Sequence, residues 1–265
     1  MFSPVYRLLR REPTLRLLVS SGRYRQRGVL GWWAPRDPEL LNECLFAEFD
    51  IDPDHLYKTS IRDKRPYAVC VTSNVDEKVI PQRTRVRVQI FQGVSFRNYA
   101  VDPKYLRFDK LFFIGRYHLE QYLARGLLRE GDPRIELIGM PKLDRLVDGS
   151  VDRKVVLEKL GLDPALPTVL WCPTGARHNG FEKWGHAGLR AIEAAGVNLI
   201  LKLHDHPHLP KGLSHAQLLE HARAGLGPRG RLALHSDVAP LLVAADLLVS
   251  DASSVAFEFC ILDRP

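Results

Sequence analysis

Long apolar runs are missing from this 265-residue sequence. No stretch of about 18 consecutive apolar residues occurs, which argues against a helix that spans a bilayer. The leading stretch MFSPVYRLLRREPTLRLLVSSG has neither the continuous apolar core nor the small-residue cleavage site of a secretory signal, so none is expected. Cysteine is scarce. The four residues, Cys44, Cys70, Cys172 and Cys260, lie far apart and three of them fall in apolar segments. The expectation is reduced, mostly buried thiols in a cytosolic protein, with no disulfide or zinc framework. No HExxH set occurs, and neither a metal ion nor a cofactor is expected. Internal repeats and low-complexity tracts are absent as well. What is present in quantity is apolar residue, 45% of the chain, enough for the core of one large domain or two small ones.

The net charge of +7 is unevenly placed. Residues 1–36 hold eight arginines (Arg7, Arg10, Arg11, Arg16, Arg23, Arg25, Arg27 and Arg36) and one acid, Glu12, so this segment alone carries 8 − 1 = +7 and residues 37–265 balance to zero. Tyr6, Leu8, Leu9, Leu15, Leu17, Leu18 and Val19 are interleaved with these arginines. Two readings are open: a basic amphipathic element facing an anionic membrane surface, or a solvated basic helix at a domain edge. Nucleic acid is not expected as a partner, because the rest of the chain carries no surplus charge or aromatic platform to extend a track.

Downstream, short β-branched and apolar runs alternate with helical patterns. A helix is expected over Pro38–Phe46 with Asp37 before it, then strands YAVCVT (67–72), VRVQIF (86–91), KLFFIG (110–115) and IELIG (135–139). A helical pattern over Tyr117–Leu128 places Leu119, Tyr122, Leu123 and Leu127 on one face. The polar, turn-rich stretch MPKLDRLVDGSVDRK (140–154) reads as a linker. A second series follows: strands TVLWCP (168–173), NLILKLH (198–204), RLALH (231–235) and DLLVS (246–250), with helices near His186–Ala195, Ser214–Ala224 and Asp237–Ala244, and another opening at Ser253. Strands alternating with helices indicate an α/β fold in which parallel sheets are covered on both sides. Two Rossmann-like halves, divided near residue 150, are expected: residues 37–150 and 151–265, with 1–36 attached to the first.

Unusual residues collect just after the strands of the second half, at the sheet edge where ligands of such folds bind. Thr174, Gly175, Arg177 and His178 follow the first strand, Lys202-Leu203-His204-Asp205-His206-Pro207-His208 the second, and Asp251-Ala252-Ser253-Ser254 the last. Three neighbouring strand ends would then bring hydroxyls, imidazoles and cations to one place. Ser253 and Ser254 allow two readings, a phosphate held at a helix start or a plain serine cap, and no capping box accompanies them. The histidine run allows an anion site, a zinc site through His204 and His206, or a solvated loop.

Together these motifs resemble the CDP-glycerol glycerophosphotransferase family, the teichoic-acid primases and polymerases of GT-B architecture. IELIGMPKLDRL (135–146), VLWCPT (169–174), LILKLH (199–204) and, most specifically, DVAPLLVAADLLVSDASSVAFEFCILDRP (237–265) carry the resemblance, in the family's order. The first half matches through VQIFQGVSFRN (88–98). The resemblance implies a GT-B-type fold with an acceptor-side first half and a nucleotide-donor second half, C-terminally shortened relative to the family. It implies a CDP-activated polyol donor, a membrane-linked acceptor, and an enzyme peripheral on the cytoplasmic face of the membrane. A nucleotide-sugar transferase of the same architecture and a catalytically silent nucleotide-binding protein are the rival readings.

Carried onto this chain, the resemblance assigns the donor pyrophosphate to Ser250, Asp251, Ser253, Ser254 and His204, with Thr174 on the same wall, Arg177 neutralising charge, and Lys202 and His206 completing the strand-end set. His204 is taken as the histidine of the family's K-x-H-P motif because its spacing from Lys202 is kept, although His206 is the one that touches Pro207. The proposed base of the family is a His-Gly histidine. Here Gln92-Gly93 occupies that place, and an amide cannot take a proton near neutral pH.

Overall fold

The computed structural model describes residues 3–17, 25–27, 33–35, 52, 65–73, 80–91, 101–204, 214–235 and 237–265. The expected helix at 38–46 and Cys44 lie outside them. The chain divides into two compact units, Met1–Lys142 and Leu143–Pro265.

In the first unit a short helix, α1 (Ser3–Leu9), precedes an antiparallel pair of three-residue strands, β1 (Arg25–Arg27) and β2 (Trp33–Pro35). The basic segment is thus not one helix. Tyr6 anchors α1 inward, buried, its hydroxyl accepting the Asp52 N–H at 2.9 Å. Four parallel strands follow in sequence order: β3 (Tyr67–Thr72), β4 (Thr84–Ile90), β5 (Lys110–Phe113) and β6 (Ile135–Leu137). Helix α2 (Arg116–Ala124) lays Leu119 and Tyr122 on this sheet beside Phe91, Phe108, Leu111 and Phe113, as the spacing of its apolar residues requires. His118 of this helix is a core residue, its ring 4.4 Å from that of Phe91 and 5.1 Å from that of Phe113.

The stretch read as a linker, 140–154, is more structured than its composition implies. A 3-10 turn at Pro141–Leu143 leads into the helices α3 (Asp144–Val147) and α4 (Arg153–Lys159), and Leu146 and Leu157 are buried in the second unit's core. The second sheet is also parallel and four-stranded: β7 (Thr168–Cys172), β8 (Asn198–Leu201), β9 (Gly230–Leu232) and β10 (Leu247–Ser250), in the order β10-β7-β8-β9. Helices α5 (Gly180–Glu193), α6 (His215–Ala224), α7 (Ala239–Ala244) and α8 (Val255–Cys260) connect and cover it.

Side chains of these strands alternate between two cores. Leu170, Cys172 and Ile200 pack with Leu157 of α4, Leu241 and Leu242 of α7, and Val255 and Phe259 of α8. Trp171, Leu199 and Leu201 pack with Phe181 and Leu189 of α5 and Ala222 of α6. Strands apolar on both faces belong in a parallel sheet sandwiched by helices, which is what the runs LWC and NLIL had indicated.

Candidate functional site

The order of the second sheet creates a crevice. From β7 the chain moves outward through β8 to β9, then returns to the other side of β7 as β10. The loops leaving the carboxyl ends of β7 and β10 therefore diverge, one to α5 on one face and the other to α8 on the opposite face. Ligands of open α/β sheets collect at such reversals. Strands β10, β7 and β8 are consecutive neighbours, so the three expected strand ends do come together.

The β7 exit is held by a capped helix start. Asn179 precedes α5, its Oδ1 accepting the Glu182 N–H at 2.9 Å while its Nδ2 donates to the Ala176 carbonyl at 2.9 Å. Glu182 reaches back to accept the His178 N–H at 2.7 Å, which holds His178 at a left-handed φ of 59°. This helix, expected near residue 186, begins at Gly180. The Asn-x-x-Glu spacing at 179–182 was the signal for it, set within a glycine-rich run that reads as loop.

At the β10 exit the Ser-Asp-x-Ser-Ser stretch separates into two halves. Ser250 is paired with Cys172, and its Oγ donates to the Cys172 carbonyl at 2.8 Å. Asp251 spans the crevice, Oδ2 accepting the Thr174 N–H at 2.8 Å and Oδ1 accepting the Gly180 N–H at 2.9 Å. Both side chains, expected to face a phosphate, are thus occupied with the protein's own backbone. Gly180 permits this, because a Cβ there would stand 2.9 Å from Asp251 Oδ1.

Ser253 and Ser254 differ. The helix expected to open at Ser253 starts at Val255 and is six residues long. Ser254 has helical dihedrals (φ −61°, ψ −22°) and its side chain makes no capping bond, so it is not a plain serine cap. Ser253 is half-buried and Ser254 exposed.

On β8's side, His204 is exposed just past the strand. Lys202, expected at the donor, instead lies beneath the edge, 8% exposed, with Nζ donating to the Leu203 carbonyl at 2.9 Å. Burial raises the nearby Cys172 thiol to about 12, Lys202 drawing it down and the buried Glu258 adding to the rise. Arg177 is exposed in the β7 loop. Gln92 and His206 lie outside the described residues. Among the described residues no group of His, Cys, Asp and Glu is arranged to hold a metal ion. A shallow concavity lined by Pro66, Tyr67, Arg83 and Arg85 lies at the amino ends of β3 and β4, the opposite end of the strands from the edge that binds ligands.

Hydroxyls of Ser253 and Ser254, the Thr174 turn, the Arg177 guanidinium and the His204 imidazole come from three adjacent strand ends, around a crevice whose walls are tied by Asp251.

Comparisons with known proteins bear on the same region. A variant of the wall teichoic acid polymerase TagF has a similar structure, with a TM-score of 0.62 and 18% identity over 99% of this chain. This chain spans 65% of that polymerase chain, less than two thirds of it. The Staphylococcus aureus MnaA–UDP structure covers 100% of this chain and 74% of its own, at a TM-score of 0.58 and 13% identity. The UDP-GlcNAc 2-epimerase of Methanocaldococcus jannaschii covers 100% and 78%, also at 0.58 and 13%. These likenesses establish the fold, two parallel-sheet halves of GT-B type. Among curated proteins no sequence match is found. The sequence model of the CDP-glycerol:poly(glycerophosphate) glycerophosphotransferases matches residues 127–265, more than half of the chain and the whole of the second unit with its crevice. The chain therefore belongs to the CDP-glycerol:poly(glycerophosphate) glycerophosphotransferase family.

Proposed function

We propose that this protein transfers a polyol phosphate, glycerol phosphate in the first instance, from a CDP-activated donor to the hydroxyl of a membrane-linked acceptor. The observation that carries the reading is the grouping of Thr174, His204, Ser253 and Ser254 on adjacent strand ends within the region that matches the family. A TagF structure soaked with CDPG is among the similar folds, which supports a cytidine donor.

In this reaction an acceptor oxygen bonds to the glycerol-bearing phosphorus as the bridging P–O bond breaks, and CMP leaves with that electron pair. CMP is already a weakly basic anion, so orientation and stabilisation of phosphoryl charge matter more than acid catalysis. His204 and the two serines are the donors for those oxygens, and Arg177 supplies positive charge. The acceptor's proton goes to a base other than Gln92, whose amide does not take protons at neutral pH.

Incubation of the full chain with CDP-glycerol and a lipid-linked acceptor should release CMP and form a phosphodiester. Ser254→Ala should weaken binding of CDP about tenfold, the loss of one hydrogen bond to a charged group. No CDP binding by calorimetry, or full affinity in Ser254→Ala, would count against the assignment. A glycosidic product from a UDP-sugar would instead favour the nucleotide-sugar reading.

A peripheral place on the cytoplasmic membrane face is part of the same proposal. It is supported by Leu8, Leu9 and Leu15, which are exposed, and by Arg10, Arg11 and Arg16, exposed in the same segment. No helix among the described residues is long and apolar enough to cross a membrane. Cosedimentation with vesicles containing phosphatidylglycerol should weaken with salt and vanish with neutral lipid. Salt-insensitive binding would exclude the electrostatic contribution.

A further inference from the structure

We propose that Asp251 is the positioning residue of this site, and that with Gly180 it sets the width of the crevice. The inference rests on the reading that nucleotide phosphates occupy that crevice. It departs from the motif's usual assignment by removing Asp251 from the ligand.

Three observations carry it. The loops leaving β10 and β7 diverge to opposite faces of the sheet, so something must hold their starting points together. Asp251 does so with both carboxylate oxygens, at 2.8 Å to the Thr174 N–H and 2.9 Å to the Gly180 N–H. The Ser250 hydroxyl adds a third tie to the Cys172 carbonyl at 2.8 Å. Every one of these bonds runs from β10's exit to β7 or its exit.

The chemistry agrees with the geometry. A bare carboxylate beside a diphosphate would repel it. Accepting two N–H bonds spreads that charge into the protein, and Gly180 is the first residue of α5, which kinks at Gly185 (φ 41°, ψ −129°), so its short opening turn offers Asp251 a leftover N–H rather than a long helix dipole. The Gly180 N–H is a donor that a helix start leaves over, and Asp251 takes it before any phosphate can. A phosphate in the crevice is thereby directed away from α5 and toward the β10 side, where Ser253 and Ser254 stand. Gly180 completes the lock, because any Cβ at that position would meet Asp251 Oδ1 at 2.9 Å and push the carboxylate off.

The test compares Asp251→Asn, Asp251→Ala and Gly180→Ala in the full chain. Two quantities are read: site-resolved exchange of the Thr174 and Gly180 amides, and CDP affinity by calorimetry. Asp251→Ala and Gly180→Ala should each speed exchange of those two amides about tenfold or more, leave the amides of α6 unchanged, and weaken CDP about tenfold. Asp251→Asn should fall between wild type and Asp251→Ala in both, since its one carbonyl oxygen can keep one N–H. Wild-type exchange rates in Asp251→Ala would overturn the brace. Loss of CDP binding in Asp251→Ala with wild-type affinity in Gly180→Ala would make Asp251 a direct ligand and overturn it too. If Asp251→Ala does not fold, the Asn and Gly180 variants still decide. A wild-type chain that binds no CDP overturns the functional reading instead, and the exchange rates alone then decide whether the brace exists.

Discussion

At the scale of single residues, burial and one neighbour settle most behaviour. Cys172 is buried, and its thiol, raised to about 12, stays protonated at neutral pH and is a poor nucleophile. The thiols were expected to be mostly buried, and Cys260, at the end of α8, is exposed. Iodoacetamide on the native protein should label Cys260 and leave Cys172 until denaturant is added, which peptide mass spectrometry would read. Asp132 gives a pH signature. A bidentate contact with Arg134, at 2.8 and 3.0 Å, holds its carboxyl at about 2, below its ordinary value. A folded-state pKa below the unfolded one contributes stability above the unfolded value of about 3.9 and loses it as pH falls toward the folded value. Asp132→Asn should therefore cost under about 1 kcal/mol at pH 7, solvent screening limiting the pair, and less at pH 3. Equal losses in urea midpoints at the two pH values would refute this. Asp251 was the residue whose role sequence could not give. Its partners are 77 and 71 positions away, and a local motif says nothing about a contact at that distance.

Among elements, α5 is packed closely on β7. Gly188 has no room for a side chain, since a Cβ would stand 2.7 Å from the buried Trp171 ring. Gly188→Ala should destabilise the fold by about 1–3 kcal/mol by overpacking, seen as a lower urea midpoint with unchanged slope. What could be read beforehand follows from periodicity. Strand β3 falls on YAVCVT residue for residue, and β7 on the expected TVLWCP except for Pro173, because apolar β-branched and aromatic runs have few other places to go. Strand β8 was read to His204 but ends at Leu201, where its pairing with β9 through Leu201 and Leu232 stops. Pairing depends on the neighbour's length, which a strand's own residues do not encode. Helix α6 was legible because Ser214 and Gln217 form a capping box. The start of α5 was not, with Gly180, Gly185 and Gly188 disguising a helix as a loop. The pair β1 and β2, Arg-Gln-Arg and Trp-Ala-Pro, has neither alternation nor length to announce it.

Across the whole molecule, two sheets of the same parallel kind differ in one respect that matters for function. The first runs in sequence order through its described strands, whereas the second turns back on itself between β7 and β10. Removing residues 246–265 would strip β10 from β7 and take Val255 and Phe259 out of the core. Such a chain should lose cooperative unfolding of the second unit and associate through the bared strand, measurable by light scattering. The strand that flanks β7 on its other edge, β10, is made after β8 and β9. Asp246 accepts the Thr168 N–H across 78 positions, so β7 waits for β10 with its edge open while β8 and β9 are already beside it. During synthesis the protein would thus hold most of a folded second unit yet have no crevice at all. The brace of Asp251 on Thr174 and Gly180 would then form in a single step, as β10 docks on β7.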